Sequence, residues 1–468
     1  MVENNKKRIF SKNDKNESKK KDKVSNKKIL ESKKVIQEAK EKIKLEKENI
    51  KKSKSEQFKK TKFYIFLNKH FSFITSDKDS YSFSEVLVIT LVSLVIGAFA
   101  CFSVFTIMSG GRNYFKLSGE LSKFVEVYDT IVENYNGKID KEELIDNAIK
   151  GMMPSIGDSY TSYIDKNNTQ EFNQLVGGVY EGIGCTIQLR ENGINVVEIF
   201  EGSPSEKANL QVGDIILSVD GKDASSMDVN EIANYIKTES SGKIAMVVLR
   251  DSKKENITLI REKVETPVVN SVIYEKNGKK VGYLSISIFT SVASKQFKTK
   301  LEGLERDGID GLIIDVRNNN GGYLTTVTDI VSQILPKGKI IYQVEKNNDK
   351  DITKDKTSTY RDYPIAVLVN GASASASEIL AAAIKESYNG YVVGTKTYGK
   401  GTVQQTKILS DGSMIKYTVE NWLTPDGNWI DGKGIEPTHE IKIEEEYYKN
   451  PIVENDSQFQ KALELVSK

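Results

Sequence analysis

The most apolar stretch of the chain runs from Val86 to Met108 and contains no charged residue. At a rise of about 1.5 Å per residue, a helix of this length spans a bilayer. A cleaved signal peptide would be shorter and nearer the N-terminus, so the pattern favours an uncleaved transmembrane helix over residues 86–108. Basic residues are concentrated before this segment. The positive-inside rule therefore predicts a single-pass protein of the cell membrane, with its N-terminus cytoplasmic and the rest extracytoplasmic.

The preceding residues, 1–85, are dominated by Lys, Glu, Asn and Ser, a composition that buries too little apolar surface to fold alone. Ile36, Ala39, Ile43 and Ile50 recur at heptad-like spacing, which suits either a solvated helix or a weak coiled coil. A polybasic flank beside a membrane helix also suits attraction to anionic lipid. We expect a cytoplasmic tail that is largely disordered or helical.

The pattern changes twice after the membrane segment. Between Leu117 and Met153, apolar residues recur every three or four positions, which predicts helices. Short alternating strands then fill residues 177–263, with one amphipathic helix at 228–237. From Lys280 onward strands alternate with helices, which is typical of an α/β layer. The predicted fold class is thus multidomain α/β, with these regions after the membrane helix: a helical region at 116–170, a β-rich domain at 177–263, an α/β core at 264–442 and a C-terminal helical extension at 443–468.

Two polar loops follow buried strands of the predicted core, at the edge of the sheet where sites form in α/β proteins. Asn318–Gly322 follows the run LIIDVR, and its glycines allow backbone N–H groups to approach a ligand closely. Ala372–Ser377 follows IAVLVNG and places serines at a helix N-terminus, an environment that stabilises an oxyanion. Ser375 and Glu378 also fit an S-x-x-E capping box, so spacing alone leaves a structural role for Ser375 open.

A third segment, Gly399–Gln404, adds a candidate base. In an extended strand, Lys400, Thr402 and Gln404 point to one side, where the amine of Lys400 could meet Ser375. A free lysine has a pKa near 10.4, and burial lowers it because water no longer stabilises the ammonium. The alternative is an ordinary surface lysine in a glycine turn.

Composition narrows the chemistry. The chain has only two histidines, His70 and His439, and both lie far from these loops in sequence, so a base other than histidine is expected. Cys101 and Cys185 are the only cysteines and are predicted to occupy different compartments, which argues against a disulfide framework or a Cys-rich metal site. The net charge of +2 does not indicate a nucleic-acid partner.

These blocks together resemble the C-terminal processing (tail-specific) peptidases over about residues 117–439. The blocks that carry the resemblance are GDSYTSY, YEGIGCTI, EGSPSEKANLQVGDIILSVDG, GYLSISIF, DVRNNNGG, VNGASASASEI, TYGKGTVQ and LTPDGNWIDGKGIEP. The resemblance implies a serine endopeptidase with a ClpP/crotonase-like core and a Ser-Lys mechanism. Family members commonly have Pro where this chain has Asn320.

The family's motifs assign roles to residues of this chain. Ser375 would be the nucleophile, Lys400 the base and Gln404 the residue that orients it. The oxyanion hole would use the N–H of Ala376 and of one glycine, Gly321 in preference to Gly322. No metal or cofactor is expected.

The resemblance also identifies residues 177–263 as a PDZ domain, which binds peptide C-termini by strand addition. Its carboxylate loop would be Glu181, Gly182, Ile183 and Gly184. The other wall of the groove would be the helix that carries Ile232, Ala233 and Ile236.

The expected partners are protein or peptide substrates with apolar C-termini, the membrane through residues 86–108, and a second copy of the chain through the flanking helices. Two alternatives are a catalytically inactive, membrane-anchored PDZ scaffold and an acyl-CoA hydratase-like enzyme on a similar core. The intact Ser375, Lys400 and Gln404 argue against the scaffold. The predicted extracytoplasmic location argues against the hydratase, because its substrates are cytoplasmic.

Overall fold

The computed structural model describes residues 82–108, 114–238, 242–347 and 349–468, together with the isolated positions 42, 44, 47, 53 and 65. Most of the predicted tail, including His70 and the heptad-like positions, lies outside the described residues. The chain divides after Asn136 into two units.

The first unit contains helices α1 (Phe83–Met108) and α2 (Tyr114–Asn134). Residues 83–104 of α1 have a mean hydropathy of 2.6, so this helix is long and apolar enough to cross a membrane. A signal sequence passes the same test, so α1 fits either a membrane anchor or a signal sequence. The predicted helix over 117–153 is interrupted after Asn134 and resumes at Lys141, where the carboxylate of Asp140 caps the new helix by accepting the N–H groups of Glu142 and Glu143.

The second unit carries the remaining elements. Its helices are α3 (Lys141–Met152), α4 (Lys166–Gly177), α5 (Pro204–Lys207), α6 (Val229–Thr238), α7 (Ala293–Arg306), α8 (Leu324–Ser332), α9 (Ala376–Ala382), α10 (Glu445–Lys449) and α11 (Ser457–Val466). Its strands are β1 (Ser162–Ile164), β2 (Val179–Gly182), β3 (Cys185–Arg190), β4 (Gly193–Ile199), β5 (Ile215–Val219), β6 (Lys222–Asp223), β7 (Lys243–Arg250), β8 (Lys253–Ile260), β9 (Glu262–Glu265), β10 (Val269–Lys276), β11 (Lys279–Ile286), β12 (Gly311–Asp315), β13 (Ile340–Lys346), β14 (Asp349–Lys354), β15 (Ile365–Val369), β16 (Tyr391–Gly394), β17 (Thr402–Ile408), β18 (Met414–Leu423) and β19 (His439–Glu440).

The α/β core is built on a six-stranded sheet in the order β10-β11-β12-β15-β16-β19, parallel except for the β10–β11 pair. Strands β12 and β15 are buried at every position, as their continuous apolar sequences predict for a sheet covered on both faces. Helices α7, α8 and α9 bury their apolar residues against one face. The α/β prediction is confirmed, while the ClpP/crotonase-like assignment stays a prediction.

The opposite face of the sheet is covered by α11. Phe459, Ala462, Leu463 and Val466 of this helix join the core cluster formed by residues of β11, β12, β15 and β16. Arg317, which follows β12, donates to the side chains of Asp456 and Gln458 at the start of the helix. The predicted C-terminal extension is therefore an integral layer of the core. Its apolar face is already buried within the chain, which leaves the predicted homodimer to other surfaces.

A separate five-stranded sheet, in the order β1-β18-β13-β14 with β17 also paired to β18, lies at the end of the core that carries the polar loops. Strand β18 is its longest member and pairs with β17 along one edge and with β1 and β13 along the other. This pairing brings the predicted lysine segment together with residues 162–164, which precede the β-rich domain in sequence.

The β-rich domain has its own sheet, β3-β4-β5-β7-β8 with β6 on β5, and its own hydrophobic core. The predicted helix is present as α6, and Asp228 caps it by accepting the N–H of Glu231. Strand β8 was not predicted, because its polar sequence KKENITLI lacks a continuous apolar run.

Candidate active site

Three loops that follow neighbouring parallel strands carry the predicted catalytic residues. Strands β12, β15 and β16 are adjacent and parallel, so their carboxyl ends meet at one edge of the sheet. The loop after β12 contains Asn318–Gly322, the loop after β15 leads to Ser375, and the loop after β16 contains Lys400. A cavity of about 270 Å³ lies at this edge and is lined by Ser375, Lys400 and Gln404.

Ser375 has an unusual backbone conformation. Its φ of 55° and ψ of −114° put a residue with a side chain in the left-handed half of the backbone map. Such strain concentrates at functional sites, where surrounding contacts hold it in place. The residue directly precedes α9, so Ala376 is the first residue of that helix, and it also lines the cavity.

The buried side chain of Glu378 holds this conformation in place. Its carboxylate accepts the N–H of Ser375 at 2.8 Å and completes the predicted capping box. The same carboxylate accepts the N–H groups of Gly399 at 2.7 Å and Lys400 at 2.9 Å, and the hydroxyl of Thr397 at 2.6 Å. Glu378 therefore ties the serine loop to the lysine loop. Burial raises the pKa of Glu378, and the four donors oppose that rise because they stabilise the carboxylate.

Lys400 is half-buried, and its amine lies 4.6 Å from the ring centroid of Tyr160. Burial lowers the pKa of Lys400, and the positive charge of Lys416 lowers it further; Asp158 and Glu378 act in the opposite direction. Within the part of the chain that the structure describes, no hydrogen bond joins this amine to Ser375 or Gln404. The structure thus places both groups in one cavity with the lysine side chain resting on Tyr160.

Gln404 faces the same cavity and is fixed by neighbours on the hairpin. Its amide nitrogen donates to the hydroxyl of Thr402 at 2.8 Å and to that of Thr418 at 3.3 Å. The predicted extended strand begins only at Thr402, and a register shift follows between Val403 and Gln404. Lys400, Thr402 and Gln404 nevertheless all line the cavity.

The two candidate oxyanion glycines have different environments. The N–H of Gly321 donates to the side-chain oxygen of Asn319 at 2.8 Å, whereas Gly322 lines the cavity. The N–H of Gly321 thus already has an acceptor within the loop, and the choice between the two glycines stays a prediction. Gly321 is nevertheless confined, since a Cβ there would lie 2.9 Å from the Cβ of Ser375.

Residues that precede the β-rich domain complete the back of the site, and the sequence analysis did not predict their role. The carboxylate of Asp158 accepts the hydroxyls of Thr161 and Thr418, each at 2.6 Å, and Thr418 contacts Gln404. Tyr160 lies against Lys400. Both residues belong to the block GDSYTSY. The resemblance of this block to the peptidase family was the only sign in the sequence that it has a role in the site.

A second cavity, of about 910 Å³, lies between β3 and α6 of the β-rich domain. Four of the residues predicted to bind the peptide line it: Gly182, Ile183, Ala233 and Ile236. Three predicted residues have other places. Glu181 is exposed, with its backbone paired to Lys263; Gly184 packs against Ser203 and Val264; and Ile232 lies wholly within the domain core.

The third wall of this groove comes from outside the domain. Asn168, Glu171, Phe172 and Leu175 of α4 line the groove, and Phe172 also lines the catalytic cavity. Helix α4 therefore stands between the two cavities.

A metal centre and a histidine base have less support than the serine and the lysine. No group of three His, Cys, Asp or Glu side chains that could hold a metal ion occurs among the described residues. His439 lies on β19 with its ring near the hydroxyl of Thr438 and does not line the catalytic cavity.

Comparison with known proteins gives three family matches along the chain. The model of peptidase family S41 matches residues 280–441, that of the N-terminal domain of the activating protease CtpB matches residues 104–168, and that of the PDZ domain matches residues 196–250.

Individual proteins also resemble this chain over most of its length. The carboxy-terminal processing protease CtpB of Bacillus subtilis is 37% identical over 335 residues, which cover 71% of this chain and 70% of the relative. A probable CtpA-like serine protease of Staphylococcus aureus is 34% identical and covers 74% and 71%. Among solved structures, a photosystem II D1 C-terminal processing protease matches at 26% identity over 71% of this chain and 87% of its own, with a TM-score of 0.41.

Proposed function

This chain belongs to the C-terminal processing serine proteases of peptidase family S41, and from that membership we propose that Ser375 is its nucleophile and Lys400 its general base. The observation that carries the proposal is the tie through Glu378, which fastens the backbone of Ser375 to that of Lys400. A scaffold without catalysis has no need of this connection or of a strained serine.

The proposed reaction begins with Lys400 in its neutral form, which burial favours. Its side chain leaves the ring of Tyr160 and takes the proton of the Ser375 hydroxyl as Oγ attacks the substrate carbonyl. The peptide bond then breaks, Lys400 returns the proton to the leaving amine, and an acyl-enzyme forms on Ser375. Water attacks that ester with Lys400 again as base, which releases the new carboxyl group and restores the serine.

The negative charge of the tetrahedral intermediate needs fixed donors. We assign the N–H of Ala376 and the N–H of Gly322 to this role, because both residues line the cavity beside Ser375. Within the described chain neither N–H donates to another group. Gln404 lines the same cavity as Lys400 and would orient the amine once it leaves Tyr160.

The PDZ groove supports recognition of apolar C-termini. Its walls carry Ile183, Ile187, Val229, Ala233 and Ile236. In strand addition, alternate residues of the added peptide face such a wall, so the last and third-last substrate residues are expected to be apolar.

We further propose that α1 anchors the chain in a membrane with the protease outside the cytoplasm. Its apolar length and the Lys-rich sequence before it support this orientation. Protease added to intact cells should then digest the region after α1 and spare an epitope placed at the N-terminus. Digestion of the epitope, or protection of the protease region, would contradict this orientation.

The catalytic proposal is tested with the full chain and a substrate that ends in an apolar C-terminal tag. Ser375→Ala and Lys400→Arg should each abolish cleavage, since arginine does not deprotonate in proteins. Binding of the tag to the PDZ groove should be unchanged in both variants and serves as the folding control. Cleavage retained at the wild-type rate by either variant would remove that residue from the mechanism.

A further inference from the structure

The catalytic cavity contains a second lysine whose role the mechanism leaves unassigned. Lys416 lies on β18, opposite Thr406 of β17 on one side and Ser162 of β1 on the other. Its side chain lines the same cavity as Lys400 and Ser375. The lining residues of this cavity include two charged side chains, Lys400 and Lys416, and no carboxylate.

Lys416 has no counter-ion within the region that the structure describes. It makes neither an ion pair nor a side-chain hydrogen bond with any residue placed there. Lys416 is half-buried in the cavity wall.

The anions nearest to Lys400 are committed to other donors. Glu378 on α9 accepts four hydrogen bonds, and Asp158, before β1, accepts the hydroxyls of Thr161 and Thr418. Asp431 accepts the N–H of Gly401. Asp158 and Glu378 still favour the ammonium form of Lys400, and Lys416 is the charge in the cavity lining that opposes them.

We propose that Lys416 is a second cation of the active site whose repulsion keeps the amine of Lys400 unprotonated and thus able to accept a proton from Ser375. The inference rests on the proposed role of Lys400. Lys416 acts through Lys400 and does not contact the reacting atoms, so it is a positioning residue in the electrostatic sense. A neighbouring cation is one of the general ways in which a lysine is activated.

The sign of the effect is fixed by charge. A like charge destabilises the ammonium form of Lys400 and lowers its pKa, in agreement with the direction found for this residue. Removing the charge of Lys416 should therefore raise the pKa of Lys400. The acid limb of the pH profile, in which kcat/KM rises as Lys400 loses its proton, should then move to higher pH.

The test compares Lys416→Met, which keeps the length of the side chain, with Lys416→Arg, which keeps the charge. The full chain, solubilised in detergent, is assayed against a peptide that has an apolar C-terminus and no ionisable side chain, so that the limb reports on the enzyme alone. The methionine variant should shift the limb upward by about one pH unit and cut kcat/KM about tenfold below the limb. The arginine variant should keep the wild-type limb.

A salt series gives a readout that needs no variant. Raising the ionic strength from about 0.05 M to about 0.5 M weakens repulsion between partly exposed charges, so the wild-type limb should also move upward. The limb of Lys416→Met should move less. Peptide binding by the PDZ groove and the thermal melting curve verify that the variants are folded.

Two results would overturn the proposal. One is a limb that stays in place in Lys416→Met or that shifts equally in both variants. The other is a loss confined to the KM of substrates with an acidic residue near the scissile bond, which would make Lys416 a substrate contact. Failure of the underlying mechanism looks different, because Lys400→Arg would then remain active whatever Lys416 does.

Discussion

The catalytic cavity and the PDZ groove both depend on glycine-containing loops, yet their walls are assembled in different ways. The catalytic groups follow three neighbouring strands of one sheet, and the single carboxylate of Glu378 fastens two of the loops together. The groove instead has two walls from the PDZ domain and a third from α4. Loss of the Glu378 carboxylate should therefore disturb the whole catalytic cavity. A substitution in the groove should instead change only the contacts of that one side chain.

Breaking the connection at Glu378 should have the largest effect. Glu378→Ala would leave the N–H groups of Ser375, Gly399 and Lys400 and the hydroxyl of Thr397 without their acceptor. Losing a fully buried acceptor of several donors should lower the free energy of unfolding by about 3 kcal/mol or more. Cleavage should fall below detection, measured beside denaturant unfolding.

The chain offers a matched control for this variant. Glu206 occupies the same position of a second S-x-x-E box, which begins at Ser203, but it is exposed and accepts the N–H of Gly202. Glu206→Ala should cost about 1 kcal/mol at most and leave catalysis intact. Equal losses in the two variants would mean that Glu378 acts only as a helix cap.

A second substitution fills the space beside the proposed nucleophile. In Gly321→Ala, the new Cβ would meet the carbonyl oxygen of Ala374 and the Cβ of Ser375 at 2.9 Å each, and the backbone φ of 106° disfavours any side chain. The displaced serine loop should lower kcat at least about 100-fold, the usual scale for damage to an oxyanion site. Peptide affinity of the groove should not change.

Gly338→Ala controls for the strain alone. Gly338 has a φ of 86°, and a Cβ there would meet nothing within 4 Å. This variant should lose about 1 kcal/mol of stability and keep its activity. A comparable loss of kcat in both variants would show that general strain, and not crowding at Ser375, lowers activity.

The sequence predicted the strands and loops of the site because each is encoded locally. LIIDVR and IAVLVNG are continuous apolar runs that end in polar, glycine-containing or serine-containing turns, and the structure confirms both as buried strands. The Ser375–Glu378 capping box was also visible, because its partners are three residues apart.

The remaining contacts could not be predicted from local patterns. Glu378 meets Thr397, Gly399 and Lys400 only after the chain has passed through β16, and Asp158 meets Thr418 across 260 residues. Helix α11 was predicted only as a C-terminal extension. The spacing of its apolar residues predicts a helix with one apolar face, but it does not show which surface that face covers. The donor of Gly321 is occupied by the side chain of Asn319, a loop geometry that the sequence NNNGG does not specify.

The lowered pKa of Lys400 also predicts an effect on stability. A buried lysine whose pKa falls on folding destabilises the folded state while its ammonium must be desolvated, and the penalty disappears as the pH approaches 10.5. Lys400→Met should therefore raise the free energy of unfolding at pH 7 by about 1 kcal/mol or less, since partial exposure screens the charge. The gain should shrink as the pH rises, and a loss of stability at pH 7 would contradict it.

A similarly small effect is expected in the groove. Leu175 lies on α4, lines the groove and is 64% exposed. Leu175→Ser should weaken binding of an apolar C-terminal peptide about fivefold, a loss of about 1 kcal/mol of apolar contact, and leave turnover of a short unanchored peptide unchanged. Val212 is similarly exposed, at 62%, but does not line the groove, so Val212→Ser should bind normally.

The central claim is that Lys400 accepts the proton of Ser375, and the pH dependence of serine acylation tests it most directly. The rate at which a serine-reactive fluorophosphonate labels Ser375 is followed over pH 6 to 11, with a saturating C-terminal peptide in the groove, for the wild-type chain and for Lys400→Met. The account predicts a wild-type rate that rises with an apparent pKa below 10.5 and reaches a plateau, and a Lys400→Met rate that is far lower and lacks that rise. The same rise in both proteins would contradict it.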